Sequence, residues 1–158
     1  MDCRDRLESY FRENGVAFEV REHPTAFTAQ KIAASEHVPG RMFAKVVMAN
    51  ADGDLVMLVL PAPSAVDLAK VAELFFLGGG QVRIAAEREF PSAFPDCEAG
   101  AMPPFGNLYD LPVYVDQALG RNERIVFQAG SHTVTMSVSY ADFERLAHPT
   151  VADIAVTR

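Results

Sequence analysis

The chain has 158 residues, 49% of them hydrophobic, with 14 basic against 21 acidic side chains and a formal net charge of −7. That length suits one domain with a sizeable core, and the composition excludes a disordered chain. The acid excess argues against wrapping a long nucleic acid, because phosphate contacts need Lys and Arg.

In chain order, the first expected helix covers roughly Arg4–Asn14. Leu7, Tyr10 and Phe11 form one apolar stripe at i, i+3 and i+4, and Gly15 follows as a stop. Val16–Arg21 alternates as a short strand and ends at His23-Pro24. Thr28 is the expected N-cap of a helix containing Gln30–Ser35, with Pro39-Gly40 closing the next loop. Phe43–Asn50 and Leu55–Leu60 flank Ala-Asp-Gly-Asp and predict a β-hairpin. Ser64 is expected to cap a helix over Val66–Phe75. Gly78-Gly79-Gly80 then precedes a strand at Gln81–Ala85 and a short helical stretch at Ala86–Phe90. A Gly- and Pro-rich loop covers Asp96–Asp110, and strands are expected at Pro112–Asp116, Arg124–Gln128 and His132–Val138. Ser139 and Asp142 stand as a capping box before a last helix to Ala147. Seven or so strands and four helices without strict alternation predict an α+β fold. The expected form is a single domain over 1–158 with one curved, mixed, partly barrel-like sheet.

Few familiar motifs are present. Gly78-Gly79-Gly80 lacks a following Lys-Ser/Thr and precedes a strand, so it reads as a turn and not a phosphate loop. Four histidines and two cysteines show no metal-ligand spacing, so no metal or other cofactor is expected. No G-x-S-x-G elbow occurs. Cys3 and Cys97 could make one bridge at most, and they read as two free thiols suited to a reducing cytoplasm. No signal peptide is expected from the charged N-terminus, and the apolar runs are too short for a membrane span.

Two features carry chemistry. Lys45 is the single charge between Arg41 and Asp52, in an otherwise apolar strand. It is either a solvated strand residue or a cation at a pocket wall, placed to meet a phosphate or polarise a carbonyl. Gly100-Ala-Met-Pro-Pro-Phe-Gly106 brackets two prolines with glycines. It is either a surface turn or a stiff loop whose exposed amides can hold an oxyanion.

Taken together, His23-Pro-Thr-Ala-Phe-Thr-Ala-Gln-Lys-Ile-Ala-Ala-Ser, then Phe43-Ala-Lys45-Val-Val, then the G-x-x-x-P-F-G loop at Gly100–Gly106, and finally Gln128-Ala-Gly-Ser-His132, resemble the YbaK/ProX family. These are free-standing homologues of the prolyl-tRNA synthetase editing domain. The resemblance covers nearly the whole chain. It implies a compact α+β fold and trans-acting hydrolysis of the ester of a mischarged tRNA, in the cytoplasm and without a cofactor. The implied partners are an aminoacylated tRNA acceptor end and an aminoacyl-tRNA synthetase, with no membrane and the oligomeric state open.

Carried over by residue, Lys45 and Gly100 are the implied catalytic positions. Pro104, Phe105, Gly106, Gly130 and His132 are implied substrate-binding positions. His23 and Thr28, in an N-terminal signature, are also implied substrate-binding positions, with His23 alternatively a turn residue and Thr28 a helix cap. Ala129–Thr133 departs from the segments of alanyl- and cysteinyl-specific members, which leaves the amino acid open. Two other readings stay open, a non-catalytic module binding aminoacyl-tRNA or an amino-acid-like ligand, and a hydrolase of small esters unrelated to tRNA.

Overall fold

A computed structural model describes residues 2–26, 28–75, 81–89 and 93–157. The expected turn at Gly78-Gly79-Gly80, the end of the stretch Ala86–Phe90, and Phe27 lie outside the described residues.

Helix α1 (Cys3–Glu13) starts one residue earlier than expected, because Asp2 and Asp5 form a reciprocal capping box that satisfies two N-terminal amides. Its Leu7 and Phe11 are fully buried. Strand β1 (Glu19–Glu22) follows, then α2 (Ala29–Ser35), whose N-cap Thr28 accepts from the Lys31 amide at 3.2 Å. The hairpin is β2 (Ala44–Ala51) with β3 (Asp54–Pro61). Asp52 and Gly53 both have positive φ at its tip, as a tight turn matched to the strand twist requires. Helix α3 (Leu68–Leu74) is capped by Asp67, which accepts from two amides, where the sequence pointed to Ser64.

Strands β4 (Val82–Ile84), β5 (Val113–Asp116), β6 (Arg124–Ser131) and β7 (Val134–Ser139) lead to α4 (Tyr140–Ala147), capped by Ser139. A last strand, β8 (Thr150–Ala152), pairs in parallel with β5 and was not anticipated.

The strands divide into two sheets, β1-β7-β6 and β4-β2-β3-β5-β8. An isolated parallel bridge between Phe43 and Val126 joins them, so the two behave as one curved surface that does not close into a barrel. Inside the curve lies the main core. Phe105 stands at its centre, with ring centroids 5.3, 5.5 and 5.6 Å from Phe11, Phe127 and Phe143. Among the described residues no helix is long and apolar enough to cross a membrane.

One expectation is corrected here. Cys3 and Cys97 are not free thiols but a disulfide, with Cα atoms 5.1 Å apart. The start of α1 packs against the loop at Asp96, whose carbonyl accepts from the Cys3 amide at 3.0 Å. Ninety-four residues separate the two cysteines, so nothing local in the sequence announces the pairing.

Candidate functional site

The site grows from the end of β6. Ile125, Phe127 and Ala129 point into the main core, so Val126 and Gln128 point outward. In β2 the same alternation sends Ala44, Val46 and Met48 inward and places Phe43 and Lys45 outside. Phe43 meets Val126 and Ile32 there, so Lys45 belongs to the outer surface shared by both sheets. Its ammonium is half-buried and donates to the carbonyl of Ser64, just past the end of β3.

Across the outer face of the smaller sheet, Arg21, Thr135 and Gln128 lie in one cross-strand row. The next row is Glu19, Ser137 and Val126. Between this face and the α2 side is a cleft of about 230 Å³, lined among others by Arg21, Val38, Met42, Arg124 and Thr135. Below its polar end lies a buried cluster. The Thr135 hydroxyl donates to the Glu36 carboxylate at 2.7 Å, and His23 Nε2 stands 3.8 Å from the same carboxylate. The side chains of His23 and Glu36 are 2% and 4% exposed. His23 Nδ1 donates to the Pro24 carbonyl at 2.8 Å, which fixes the ring. A buried carboxylate needs such donors, because an unpaired charge there is costly.

Beyond Gln128 the register of β6 shifts, and Gly130 takes φ +88. A side chain at Gly130 would sit 2.5 Å from Cys3 Cβ and Sγ, so only glycine fits. The Gly130 amide donates to the Ala101 carbonyl at 2.9 Å, and its own carbonyl accepts from the Glu98 amide at 2.9 Å. The Glu98 carboxylate accepts from the His132 amide at 2.8 Å, while His132 Nε2 donates to the Ala99 carbonyl at 2.8 Å. Gly100 is thereby held at an exposed crest with φ +80, beside His132. The His23 amide in turn donates to the Thr133 carbonyl at 2.9 Å.

The structure thus gathers His23, Gly100, Gly130 and His132 around the β6–β7 turn, while Lys45 stands on the outer face of β2 against the Ser64 carbonyl. It does not put the rest of the expected loop there. Ala101–Gly106 is buried throughout, so the exposed-amide loop shrinks to the neighbourhood of Gly100. Phe105 is a core ring with no exposed surface. Gly106 lacks a side chain because the Leu111 carbonyl and Val113 would be 3.1 Å from its Cβ. Pro104 is buried beside them, and Thr28 spends its hydroxyl on the helix cap. Neither Glu36 nor Thr135 stands out in the sequence as a site residue. The polar alternation of Thr133, Thr135 and Ser137 against Val134, Met136 and Val138 was the signal that could have found Thr135.

Cys3, Asp96 and Cys97 bring three potential metal-ligand atoms within 4.8 Å. The sulfurs are bonded to each other, and Asp96 is held by the Tyr109 hydroxyl at 2.9 Å and by Arg6 at 3.2 Å, so this form offers an ion no open ligand set.

The model of the aminoacyl-tRNA editing domain matches residues 23–146, from the buried His23 to the last helix. The chain belongs to the aminoacyl-tRNA editing domain family. No curated protein matches it. Among solved structures it is similar to a candidate trans-editing enzyme for prolyl tRNA synthetase (TM-score 0.84, 19% identity, 98% of each chain covered). It is also similar to the hypothetical protein APE2540 (TM-score 0.85, 18% identity, covering 96% of this chain and 99% of that one). A candidate signal transduction protein from Marinobacter aquaeolei VT8 matches over 96% of this editing domain but 30% of its own length (TM-score 0.73, 15% identity). At such identities these likenesses establish a shared fold.

Proposed function

We propose that this editing domain is a trans-acting, cytoplasmic aminoacyl-tRNA deacylase that hydrolyses the ester of a mischarged tRNA. The observation that carries the reading is the editing-domain match over residues 23–146, supported by the exposed Gly100 held beside His132 and by the buried His23–Glu36–Thr135 cluster beneath the neighbouring cleft.

The chemistry asks little of the protein. An aminoacyl ester is already activated, and the terminal ribose brings its own neighbouring hydroxyl. Catalysis then rests on holding the ester, excluding misfit side chains and supplying donors where negative charge develops. The cleft against Val38 and Met42 takes the amino-acid side chain, and its volume of about 230 Å³ limits what fits. The Gly100 amide donates to the carbonyl oxygen as it becomes an oxyanion. Lys45 meets the phosphate of the terminal nucleotide, a contact a compact ammonium makes well. Water or the vicinal hydroxyl attacks. His132 holds the Gly100 segment through Ala99 and does not act as the base in this scheme.

The test is deacylation of mischarged tRNAs by wild type, Lys45→Ala and Lys45→Arg. Lys45→Ala should lose about a hundredfold in rate, and Lys45→Arg should recover part of it by keeping the charge. Full activity in Lys45→Ala would remove Lys45 from the mechanism.

A further inference from the structure

The Cys3–Cys97 bond lies at the rim of this site. Cys3 is the first residue of α1, and Cys97 stands three residues before Gly100. The segment carrying Gly100 is therefore tied on two sides. The disulfide and the Cys3 amide bind it to α1, whereas Glu98 and Ala101 bind it to Gly130 and His132. Cys3 also packs directly on Gly130, so both ties meet at one glycine. Beside the bond opens a cleft of about 530 Å³, lined by Cys3, Cys97, Asp2, Arg4, Glu98 and Ser131. Cys3 is 2% exposed, whereas Cys97 is only partly buried, so a reagent in the cleft reaches Cys97 first.

We propose that Cys97 is a thiol–disulfide exchange site for small thiols, and that its bond to Cys3 is a reducible tie on the Gly100 segment. The thiolate of a small thiol attacks Cys97 Sγ. A bond to Cys97 forms, the Cys3–Cys97 bond breaks, and the electron pair leaves on Cys3 Sγ, which takes up a proton. A second thiol then displaces Cys97. The protein ends with two thiols and the reductant with one disulfide, two electrons and two protons having passed. The N-terminus of α1 favours the departing Cys3 thiolate, while the Asp2 and Asp5 carboxylates oppose it, so exposure decides the direction of attack. Three carboxylates (Asp2, Asp96, Glu98) against one guanidinium (Arg4) line the cleft, and they favour a cationic thiol over an anionic one. In a reducing cytoplasm the tie opens, and oxidation closes it.

The proposal rests on the deacylase reading only for its effect on activity, so its test needs no tRNA. Thiols are counted in the chain after air oxidation and after treatment with reduced dithiothreitol, and amide exchange is followed in both states. No thiol should titrate in the oxidised chain and two in the reduced one. Reduction should speed exchange at the Glu98, Ala101 and Gly130 amides by about tenfold and leave the β3 amides unchanged. The Cys3→Ser/Cys97→Ser variant should exchange like the reduced chain and ignore dithiothreitol. Cysteamine should open the bond faster than thioglycolate at equal thiolate concentration. Two thiols persisting under oxidation, equal exchange in both states, or a faster reaction with thioglycolate would each overturn the proposal. Failure of deacylation leaves these readouts intact, and their failure leaves the deacylase reading standing.

Discussion

At the scale of single residues, the site depends on positions whose roles differ from their appearance. Gly130 reads in the sequence as a small pocket residue, but it is glycine because its φ of +88 and the cysteine packed on it allow nothing larger. Gly130→Ala should therefore cost about 2 kcal/mol or more in urea unfolding, with strain and clash acting together. Phe105, in the loop expected to bind substrate, is a core ring packed against three others. Phe105→Ala should cost about 3–5 kcal/mol, the range for an unfilled aromatic cavity. Lys45 was legible as an anomaly, since one charge in an apolar strand stands out. Glu36 was not, because an acidic residue just after a short helix looks solvated until the fold buries it against Thr135.

Tyr140 supplies a pH test. Burial, aided by the Glu144 charge, pushes its phenol up from 10.0 to about 12. The folded state thus favours the neutral phenol, so its contribution is whole below pH 10 and is lost as pH rises toward 12. Tyr140→Phe should flatten that alkaline limb of the stability–pH curve, and an unchanged limb would place its cause elsewhere.

Among the elements, the legible ones were those with local chemistry. The Asp-Gly turn announced the β2–β3 hairpin, Thr28 and Ser139 announced their helices, and the alternation after His132 announced β7. What escaped depends on distant partners. Strand β8 has three residues, too few for a pattern, and exists because β5 offers it a parallel edge. It is pinned beside Asp116, which is 2% exposed and accepts from the amides of Ile154, Ala155 and Ala118 at 3.0, 3.2 and 3.0 Å. Asp116→Ala would orphan three buried or half-buried donors and should cost about 3 kcal/mol, with loss of amide protection at Ile154 as the diagnostic. The division into two sheets was equally hidden, because only the bridge at Phe43 and Val126 shows where one ends and the other begins.

For the whole molecule, charge placement limits how tRNA is met. Residues 1–45 carry seven basic and seven acidic side chains, and the remainder carries the entire −7. On the proposed deacylase reading, the neutral third offers Lys45, Arg21 and the α2 side of the cleft to the acceptor end, and the acidic remainder opposes the tRNA body. Binding should weaken with salt along a shallow slope that corresponds to a few phosphates, and a slope implying many would contradict this arrangement. The most direct measurement of the central claim is release of amino acid from a panel of mischarged tRNAs mixed with catalytic amounts of the wild-type protein. The expected result is multiple-turnover loss of the ester from at least one mischarged species, far above its spontaneous rate. Saturable binding of every species with no ester loss would contradict it and leave a module that holds aminoacyl-tRNA without editing it.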